Sequence, residues 1–564
     1  MLKRGWIAGM LVLAIAFAIP AVAQAATETL VTNDSPTGAF PQNKQNEPAV
    51  AVDPTNHSLL AAGSNDEIDE LPCDGNDCPF VQGIGNSGIY FSTDGGASWV
   101  QPTYQGYSGR TGTLGTGDIG TLPNYDTAGL VADGDPGLVF GPQPDSQGHF
   151  AWSNGSRLYY SNLASNFATE RSDTTFKGFE AIAVSHTDDI TSAIAGVNSA
   201  WSAPAVVTQQ QSQTAFSDKP DITADNAASS PFFGNVYICY SQFKSQQLNG
   251  PEPIQVSRST DGGDTWSNPQ SLSASHNGGN AGQGNPGRQG CNVRTDSDGN
   301  VYVVWEDTVN QHSVMELATS SDGGVHYSSP RVIADVTDVG TFDGVRSISF
   351  DGIAGARTSS YPSLSIANAA PTGQNAPDTL ALGWSDGADG LNHEHALVRL
   401  STDGGQTWSG PTSVEASGDR PDFAFLGISP NGNDLYVTYD AFTDPFRNNT
   451  TSRRRFAGVV RHADVSGSSL SNLTTVDRGA VGDGRASSAN ALIDEFIGDY
   501  NAVATTNDGA VAVYNDARNA AVCGAINTFR QATVDGTAGA APAPGTDCPS
   551  TFGNTDIYSA AVTP

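Results

Sequence analysis

The amino-acid sequence predicts an all-β fold in which one antiparallel unit is repeated within a single body. Two observations support this prediction: an eight-residue phrase recurs four times, and a longer strand-turn-strand pattern recurs seven times. A third observation argues against helices, because 63 glycines and 31 prolines among 564 residues interrupt almost every window long enough for one. The four copies of the phrase occupy residues 92–99, 259–266, 320–327 and 401–408.

The repeated phrase has the composition of a tight turn between two strands. Its first copy reads Ser-Thr-Asp-Gly-Gly-Ala-Ser-Trp, and a strand-like run precedes every copy. The aspartate can accept hydrogen bonds from backbone amides just beyond it, and the glycine pair supplies the positive φ that other residues adopt only at a cost. Each copy ends in a ring that is expected to be buried against a neighbouring element. These rings belong to Trp99, Trp266, Tyr327 and Trp408.

The longer pattern joins a short apolar run, a turn and a second run rich in Val, Tyr and Trp. Its seven copies begin at Glu47, Asp135, Lys219, Cys291, Tyr361, Arg420 and Asp499. Five copies carry proline at the second position, and their spacing suits four-stranded units joined by loops of varied length. The seventh copy leaves chain for only one further strand. The N-terminal run 29–32 is therefore predicted to supply its outer strand, which closes a ring and hides two edges.

The repeated phrase resembles the Asp-box, or BNR repeat, of sialidases and related β-propellers. The resemblance implies a β-propeller of four-stranded antiparallel blades, with each Asp-box between the third and fourth strands, on the face away from the active site. The seven longer units favour seven blades, and six blades, the number in true sialidases, is the alternative. We expect residues 26–564 to form this single domain.

The N-terminus is typical of a secretory signal peptide over residues 1–25. Lys3 and Arg4 precede an apolar run from Trp6 to Ile19, and small residues then provide cleavage sites near Ala23 and Ala25. The run is short for a membrane span, and no second hydrophobic run follows it. The sequence predicts a secreted protein without membrane insertion.

Six cysteines in an exported chain favour disulfides. Their order suggests the pairs Cys73–Cys78, Cys239–Cys291 and Cys523–Cys548, although the sequence leaves the other connectivities open. Metal binding is the alternative, but no two cysteines have the spacing of a zinc motif.

The formal net charge of −33 argues against nucleic acid and against an anionic membrane surface as partners. Cations, neutral glycans and basic partners remain compatible with it. We expect a monomer.

Carboxylates recur where the second strand of a unit ends. If the units align, they form a partial ring on one face that is suited to Ca²⁺ or to acid catalysis, and no other cofactor is expected. The alternative is that each aspartate caps a turn. The predicted metal ligands are Asp307, Asp386, Asp440 and Asp516.

The resemblance to sialidases also implies three kinds of catalytic group. Sialidases use a tyrosine nucleophile with a glutamate partner, for which Tyr500 and Glu495 are the candidates, and an aspartic acid in a first-blade loop, for which Asp66 is the candidate. They bind the substrate carboxylate through arginines. The arginine candidates are Arg288, Arg357, Arg420 and Arg518.

The first unit departs from the sialidase pattern. Residues 45–48 read Gln-Asn-Glu-Pro, so an acid stands where that family has an arginine. Two functions therefore remain open. One is an exo-acting glycoside hydrolase of sialidase type, and the other is a non-catalytic propeller that binds glycan, protein or cell-wall polymer. A polysaccharide lyase is a third class, for which no tyrosine or histidine base stands out.

Overall fold

The structure is a computed structural model that describes residues 27–73, 75–170, 172–208, 212, 214–243, 252–273, 289–310, 312–343, 347–350 and 360–564. Its strands form a seven-bladed β-propeller of antiparallel sheets. The first strand of each blade contacts the first strand of the next, and the last blade contacts the first. The all-β and seven-blade predictions are confirmed, and the six-blade alternative is wrong.

The strands of a blade follow one another in the chain and pair with their sequence neighbours. Blade 1 comprises Gln45–Asp53, Asn56–Asp66 and Ser87–Ser92, with a single bridge at Val100. Blade 2 comprises Gly137–Pro144, Phe150–Asn166, Ala181–Thr187 and Ala205–Val206, with Leu130–Ala132 added beside its second strand. Blade 3 comprises Phe216–Ala224, Val236–Phe243, Ile254–Ser259 and Gln270–Ser271.

The remaining blades repeat this order. Blade 4 comprises Gln289–Thr295, Val301–Val309, His312–Ser320 and Arg331–Val336. Blade 5 comprises Ser363–Ile366, Leu380–Asp386, His395–Ser401 and Thr412–Ser413. Blade 6 comprises Arg420–Ile428, Asp434–Phe442, Arg455–Ser466 and Ser469–Arg478, with Gly482–Asp483 beside the third. Blade 7 comprises Ala502–Thr505, Ala510–Asp516, Asp556–Val562 and Thr27–Leu30.

The ring closes between the two ends of the chain. The N-terminal strand Thr27–Leu30 pairs antiparallel with Asp556–Val562 and so becomes the outer strand of blade 7. The pairing continues one residue further, where the amide of Val31 donates to the carbonyl of Ile557 at 2.9 Å. The predicted closure by the N-terminal run is confirmed, with bounds shifted two residues toward the N-terminus.

The four repeated phrases fold into the same turn between the third and fourth strands of blades 1, 3, 4 and 5. In the first copy, Ser92 donates to Asp94 at 2.9 Å, and the Ser98 amide donates to the same aspartate at 2.9 Å. The second glycine packs on the preceding blade: a Cβ on Gly96 would lie 3.2 Å from Val511 of blade 7. The predicted structural turn is confirmed, and it also spaces adjacent blades.

All three predicted disulfides are present, and the described residues include no free cysteine. Cys239–Cys291 connects the second strand of blade 3 to the first strand of blade 4, so it fastens neighbouring blades near the axis. Cys523–Cys548 holds the long connection inside blade 7.

That connection contains a helix the sequence analysis did not predict, Gly524–Val534, and a short helix follows at Pro544–Asp547. Arg530 of the longer helix is fully buried and donates to the carbonyls of Leu492, Ser487 and Asp494. A third helix, Ile190–Ile194, lies in blade 2. Within the described part of the chain, no helix has the length and apolarity to cross a membrane.

Candidate functional site

A β-bulge recurs near the start of the first strand. The pairing with the second strand skips two residues in blades 1, 3, 4 and 6. In blades 1 and 3 the skipped pairs are Glu47-Pro48 and Lys219-Pro220, and Glu47 and Lys219 adopt positive φ angles of 58° and 52°. Asp135, which precedes Pro136 in blade 2, has a φ of 52°. Non-glycine residues adopt this conformation rarely, and such strain clusters at functional sites.

The three residues with positive φ at the starts of blades 1, 2 and 3, Glu47, Asp135 and Lys219, line one cavity of about 200 Å³, which we call the acidic pocket. It lies at the end of the ring where the first strands begin. Five acids and two lysines line it, and two phenylalanines complete its charged and aromatic wall. The members are Lys44, Glu47, Glu67, Phe80, Asp133, Asp135, Asp218, Lys219 and Phe496. The sequence therefore places a different charged residue at an equivalent strained position in each of three consecutive blades.

Asp135 is the acid of the pocket whose protonation changes near neutral pH. Burial raises its pKa, the carboxylate of Glu47 raises it further, and Lys219 opposes the rise, so that the pKa is about 7. Glu47 is held in place by the side-chain amide of Asn65, which donates to it at 2.5 Å. The side-chain oxygen of the same Asn65 accepts a hydrogen bond from the backbone amide of Asp135 at 2.8 Å. One asparagine thus fixes both acids.

Two further acids, Asp133 in the wall of the acidic pocket and Glu180 outside that wall, also have raised pKa values. Burial raises the pKa of Asp133 to about 6. Burial also raises the pKa of Glu180 well above its ordinary value, with Asp133, Asp218 and Asp135 as further causes. Since like charges in a poorly solvated space oppose ionisation, the group holds protons at pH values where ordinary carboxylates have lost them.

Lys219 is the cation at the centre of the site. Its ammonium group lies 2.5 Å from the carboxylate of Asp499 and 5.5 and 5.8 Å from the ring centres of Tyr361 and Tyr500. Burial opposes its charge, but Asp499 and the other acids outweigh this and raise its pKa well above the ordinary value. Lys219 therefore stays charged and can hold an oxygen of a bound molecule.

Lys219 also lines a second cavity, the central channel of about 310 Å³, which the first strands of the seven blades surround. Tyr361, Phe425 and Tyr500 lie in its wall. The acidic pocket and the central channel thus share one lysine.

An aromatic rim borders the acidic pocket on the blade 1 side. The ammonium group of Lys44 lies 5.5 Å from the ring centre of Phe80 and 5.7 Å from that of Phe496, and it pairs with Glu67 at 2.5 Å. Phe80 is 57% exposed, which is unusual for so large an apolar side chain beside a polar cavity. Its loop is fastened by Cys73–Cys78. An exposed ring at the mouth of a pocket is suited to stacking against a ligand.

Of the residues predicted to be catalytic, Tyr500 lies in the wall of the central channel, beside the shared Lys219. Burial raises its pKa well above the ordinary value, and Asp135 and Glu47 are the next causes. Its predicted partner, Glu495, is fully buried elsewhere and lies 3.2 Å from the guanidinium group of Arg530. The acids beside Tyr500 are therefore Glu47 and Asp135.

Asp66, the predicted acid, is fully buried at the end of the second strand of blade 1. It accepts hydrogen bonds from Tyr90 at 2.6 Å and Gln101 at 2.7 Å, and also from Gln45 and the amide of Ile68. This geometry is that of a structural carboxylate that organises the following loop.

Two predicted arginines are described, and each is engaged by its own carboxylates. Arg420 makes a paired contact with Glu394 at 2.9 and 2.8 Å. Arg518 contacts Glu28 and Asp516 of blade 7. Arg288 and Arg357 lie outside the described residues. The arginine clamp stays a prediction.

The four predicted metal ligands lie in four separate blades, and each accepts a hydrogen bond from a nearby donor, although the second oxygen of Asp440 is buried without a partner. Asp307 and Asp386 each accept from a tryptophan two residues earlier in the strand, at 3.4 and 2.9 Å. Asp516 binds Arg518, and Asp440 lies near Asn501. None of the four belongs to the one group of possible metal ligands found among the described residues. A calcium site at these aspartates stays a prediction.

The sequence analysis missed Glu47, Asp135 and Lys219 as site residues, although the signal was visible. Each is the charged residue before proline at the start of a repeated unit. The proline served only as a mark of the repeated unit, whereas the residue before it lines the acidic pocket in three blades.

No protein-family model and no curated protein sequence matches the chain. Among solved structures, it is similar to a Hadza microbial sialidase, with 14% identity over 70% of this chain and 63% of that one and a TM-score of 0.40. It is similar to a leech intramolecular trans-sialidase, with 13% identity over 71% and 65% of the chains and a TM-score of 0.38. An ulvan lyase of polysaccharide lyase family 25 matches with 11% identity over 64% and 75% and a TM-score of 0.33.

Proposed function

We propose that this protein is a secreted glycoside hydrolase whose reaction centre is the acidic pocket. The observation behind this proposal is the placement of Glu47 and Asp135 side by side, both with positive φ at the starts of adjacent blades, with the pKa of Asp135 at about 7. Glycoside hydrolysis needs one carboxylic acid and one carboxylate at the same bond. The three disulfides support export, because such bonds persist in oxidising compartments.

The two acids divide the reaction between them. Asp135, protonated below about pH 7, donates its proton to the glycosidic oxygen as the carbon–oxygen bond breaks. Glu47 is oriented by Asn65 and is hydrogen-bonded to Asp135, so a bound sugar has to separate the two carboxyl groups. Glu47 then takes a proton from the attacking water or bonds to the sugar carbon directly. Lys219 remains charged and holds a sugar or leaving-group oxygen. Water supplies the hydroxyl of one product and the proton that restores Asp135.

The charge of the acidic pocket favours neutral or amino sugars as substrates. Five acids and two lysines line it, so an anionic sugar meets net repulsion wherever the acids are ionised. A sialidase-type reaction is a second candidate, which the position of Tyr500 among Glu47, Asp135 and Lys219 supports. It requires an arginine clamp that the two described candidate arginines do not form.

The test is turnover by the purified mature chain of fluorogenic neutral glycosides, amino-sugar glycosides and sialosides, with and without calcium. We expect activity on neutral or amino sugars, and a fall in kcat of about 10²- to 10⁴-fold in Asp135→Asn and Glu47→Gln. Loss of activity as the pH rises above about 7 in the wild type follows from the pKa of Asp135.

The matched control is Asp225→Asn. Asp225 is buried like Asp135, and burial raises its pKa to about 7 as well. It lies at the other end of the blade, just after the first strand of blade 3, and accepts a hydrogen bond from Ser230. It should retain wild-type kcat. Turnover unaffected by both Asp135→Asn and Glu47→Gln contradicts the proposal. Turnover of sialosides that disappears in Tyr500→Phe favours the sialidase mechanism, and a folded protein without turnover of any glycoside favours a binding platform.

A further inference from the structure

We propose that blade 6 carries a zinc site formed by Asp434, His462 and Asp464. One ligand atom from each of these side chains lies within 4.8 Å of the others, and the histidine is buried while the two aspartates are partly exposed. Imidazole nitrogen and carboxylate oxygen are both zinc ligands. The site is independent of the acidic pocket and of the proposed hydrolase activity.

The sheet register brings these three side chains to one face. Asp434 is the direct cross-strand partner of Asp464, and Tyr436 is the partner of His462. Since side chains alternate between the faces of a sheet, His462 and Asp464, two residues apart, share a face, and Asp434 shares it with them. The neighbouring Arg461 is on the opposite face. The triad is therefore built into the strands and does not depend on a loop conformation.

The pairing of Asp434 with Asp464 is the observation that points to a cation. Like charges directly opposite each other in a sheet are destabilising. His462 contacts Asp434 at 2.9 Å through Nε2, and Asn472 donates to Asp464 at 2.6 Å. Asn472 thereby orients Asp464, as outer partners of metal ligands commonly do. A divalent ion between the two carboxylates and Nε2 replaces the repulsion with attraction.

The dimensions suit zinc. Ligands about 2.0–2.1 Å from a tetrahedral zinc ion lie about 3.3 Å apart, so a small outward movement of His462 from Asp434 admits the ion. Three protein ligands leave one position for water. The ring of His462 packs beside that of Tyr436, 5.0 Å between centres, which restrains its orientation.

The site lies at the end of blade 6 that corresponds to the repeated turn of other blades. In blades 1, 3, 4 and 5 the repeated turn fastens the third strand to the fourth. In blade 6 these strands, Arg455–Ser466 and Ser469–Arg478, are joined by two residues, one of them Gly467 with a φ of 59°. The triad lies at that same end of the blade, where a bound ion fastens the second strand to the third.

The experiment is zinc binding by the full mature chain after removal of metals with EDTA and dialysis. We expect one zinc ion per chain by calorimetry and metal analysis, and a rise in Tm on zinc addition. His462→Ala and the isosteric Asp464→Asn should weaken zinc binding by about a hundredfold or more and abolish the zinc-dependent rise in Tm. The zinc-dependent difference is compared within each variant, so an intrinsic loss of stability does not affect the conclusion.

The control variant is His395→Ala. His395 also contacts two acids, but Glu415 lies at Nδ1, at 2.8 Å, and Asp389 at Nε2, at 3.0 Å, so no ring nitrogen faces both. This variant should bind zinc as the wild type does. The proposal fails if the wild type binds no zinc, if His462→Ala binds it unchanged, if His395→Ala abolishes binding, or if calcium raises the Tm where zinc does not.

Discussion

The repeated turns and the acidic pocket contain the same residue, aspartate, in opposite surroundings. In the turn of blade 5, hydrogen bonds from the hydroxyl and amide of Thr407 lower the pKa of Asp403. In the pocket, burial and the carboxylate of Glu47 raise the pKa of Asp135 to about 7. One carboxylate is exposed and surrounded by donors, and the other is enclosed among acids.

This contrast distinguishes the residues that build each blade from the residues that line the acidic pocket. The turn occurs four times with the same bonds, because each copy performs the same structural task between blades. The residues with positive φ near the starts of the blades differ from blade to blade, with Glu47, Asp135 and Lys219 in blades 1 to 3 and Phe423 in blade 6. Identity between repeats indicates a shared structural task, whereas three of the four divergent residues meet in one pocket.

The largest effect on stability is expected from the central cation. Lys219→Met removes one partner of a buried ion pair and leaves Asp499 without its ammonium group, so we expect a loss of about 3–5 kcal/mol in the free energy of unfolding by urea titration. Lys177→Met, which changes an exposed lysine, should alter stability by less than about 0.5 kcal/mol. Equal losses of stability in the two variants would contradict the claim that the Lys219–Asp499 ion pair stabilises the fold.

A smaller effect, dependent on pH, is expected from Asp135→Asn. The pKa of Asp135 rises from 3.8 to about 7 on folding, so the folded state keeps a proton that the unfolded chain has lost between these values. The stability that this bound proton contributes is fully present below about pH 4 and is lost as the pH rises through about 7.

The amide introduced by this substitution does not titrate, so it should stabilise the variant relative to wild type by about 1–3 kcal/mol more at pH 8 than at pH 4. Unfolding curves across this range provide the measurement. A constant difference between variant and wild type would show that Asp135 does not titrate abnormally. Asp225→Asn should show the same trend without the loss of activity, which separates titration from catalysis.

The smallest effects are expected in the repeated turn, where two adjacent glycines form a matched pair. Gly95 has a φ of 75° and open space where a methyl group would stand, whereas Gly96 has a φ of 90° and lies against Val511. Gly95→Ala should cost about 1 kcal/mol from the backbone alone, and Gly96→Ala about 1–3 kcal/mol because the methyl also crowds blade 7. Thermal unfolding of both variants tests whether the turn spaces the blades; equal losses would indicate a purely local turn.

The sequence was sufficient for those features that short-range bonds determine. The turn at 92–99 closes through hydrogen bonds between residues at most four apart, so its own amino acids determine its conformation. The seven units, the closing N-terminal strand and the three disulfides were also predicted correctly. The helix Gly524–Val534 was not, because its anchor is a long-range one: Arg530 bonds carbonyls near residue 490.

The site depended on tertiary structure. Tyr500 was predicted, but with Glu495, its neighbour in sequence, whereas the fold places Tyr500 with Glu47, Asp135 and Lys219. These residues come from four blades and are separated by 80 residues or more along the chain. By itself, the sequence determined the repeated blade and its turns, because those follow from local hydrogen bonding and alternation of side chains. Only closure of the ring decided which charges meet, since burial and proximity across blades set the pKa values on which the chemistry depends.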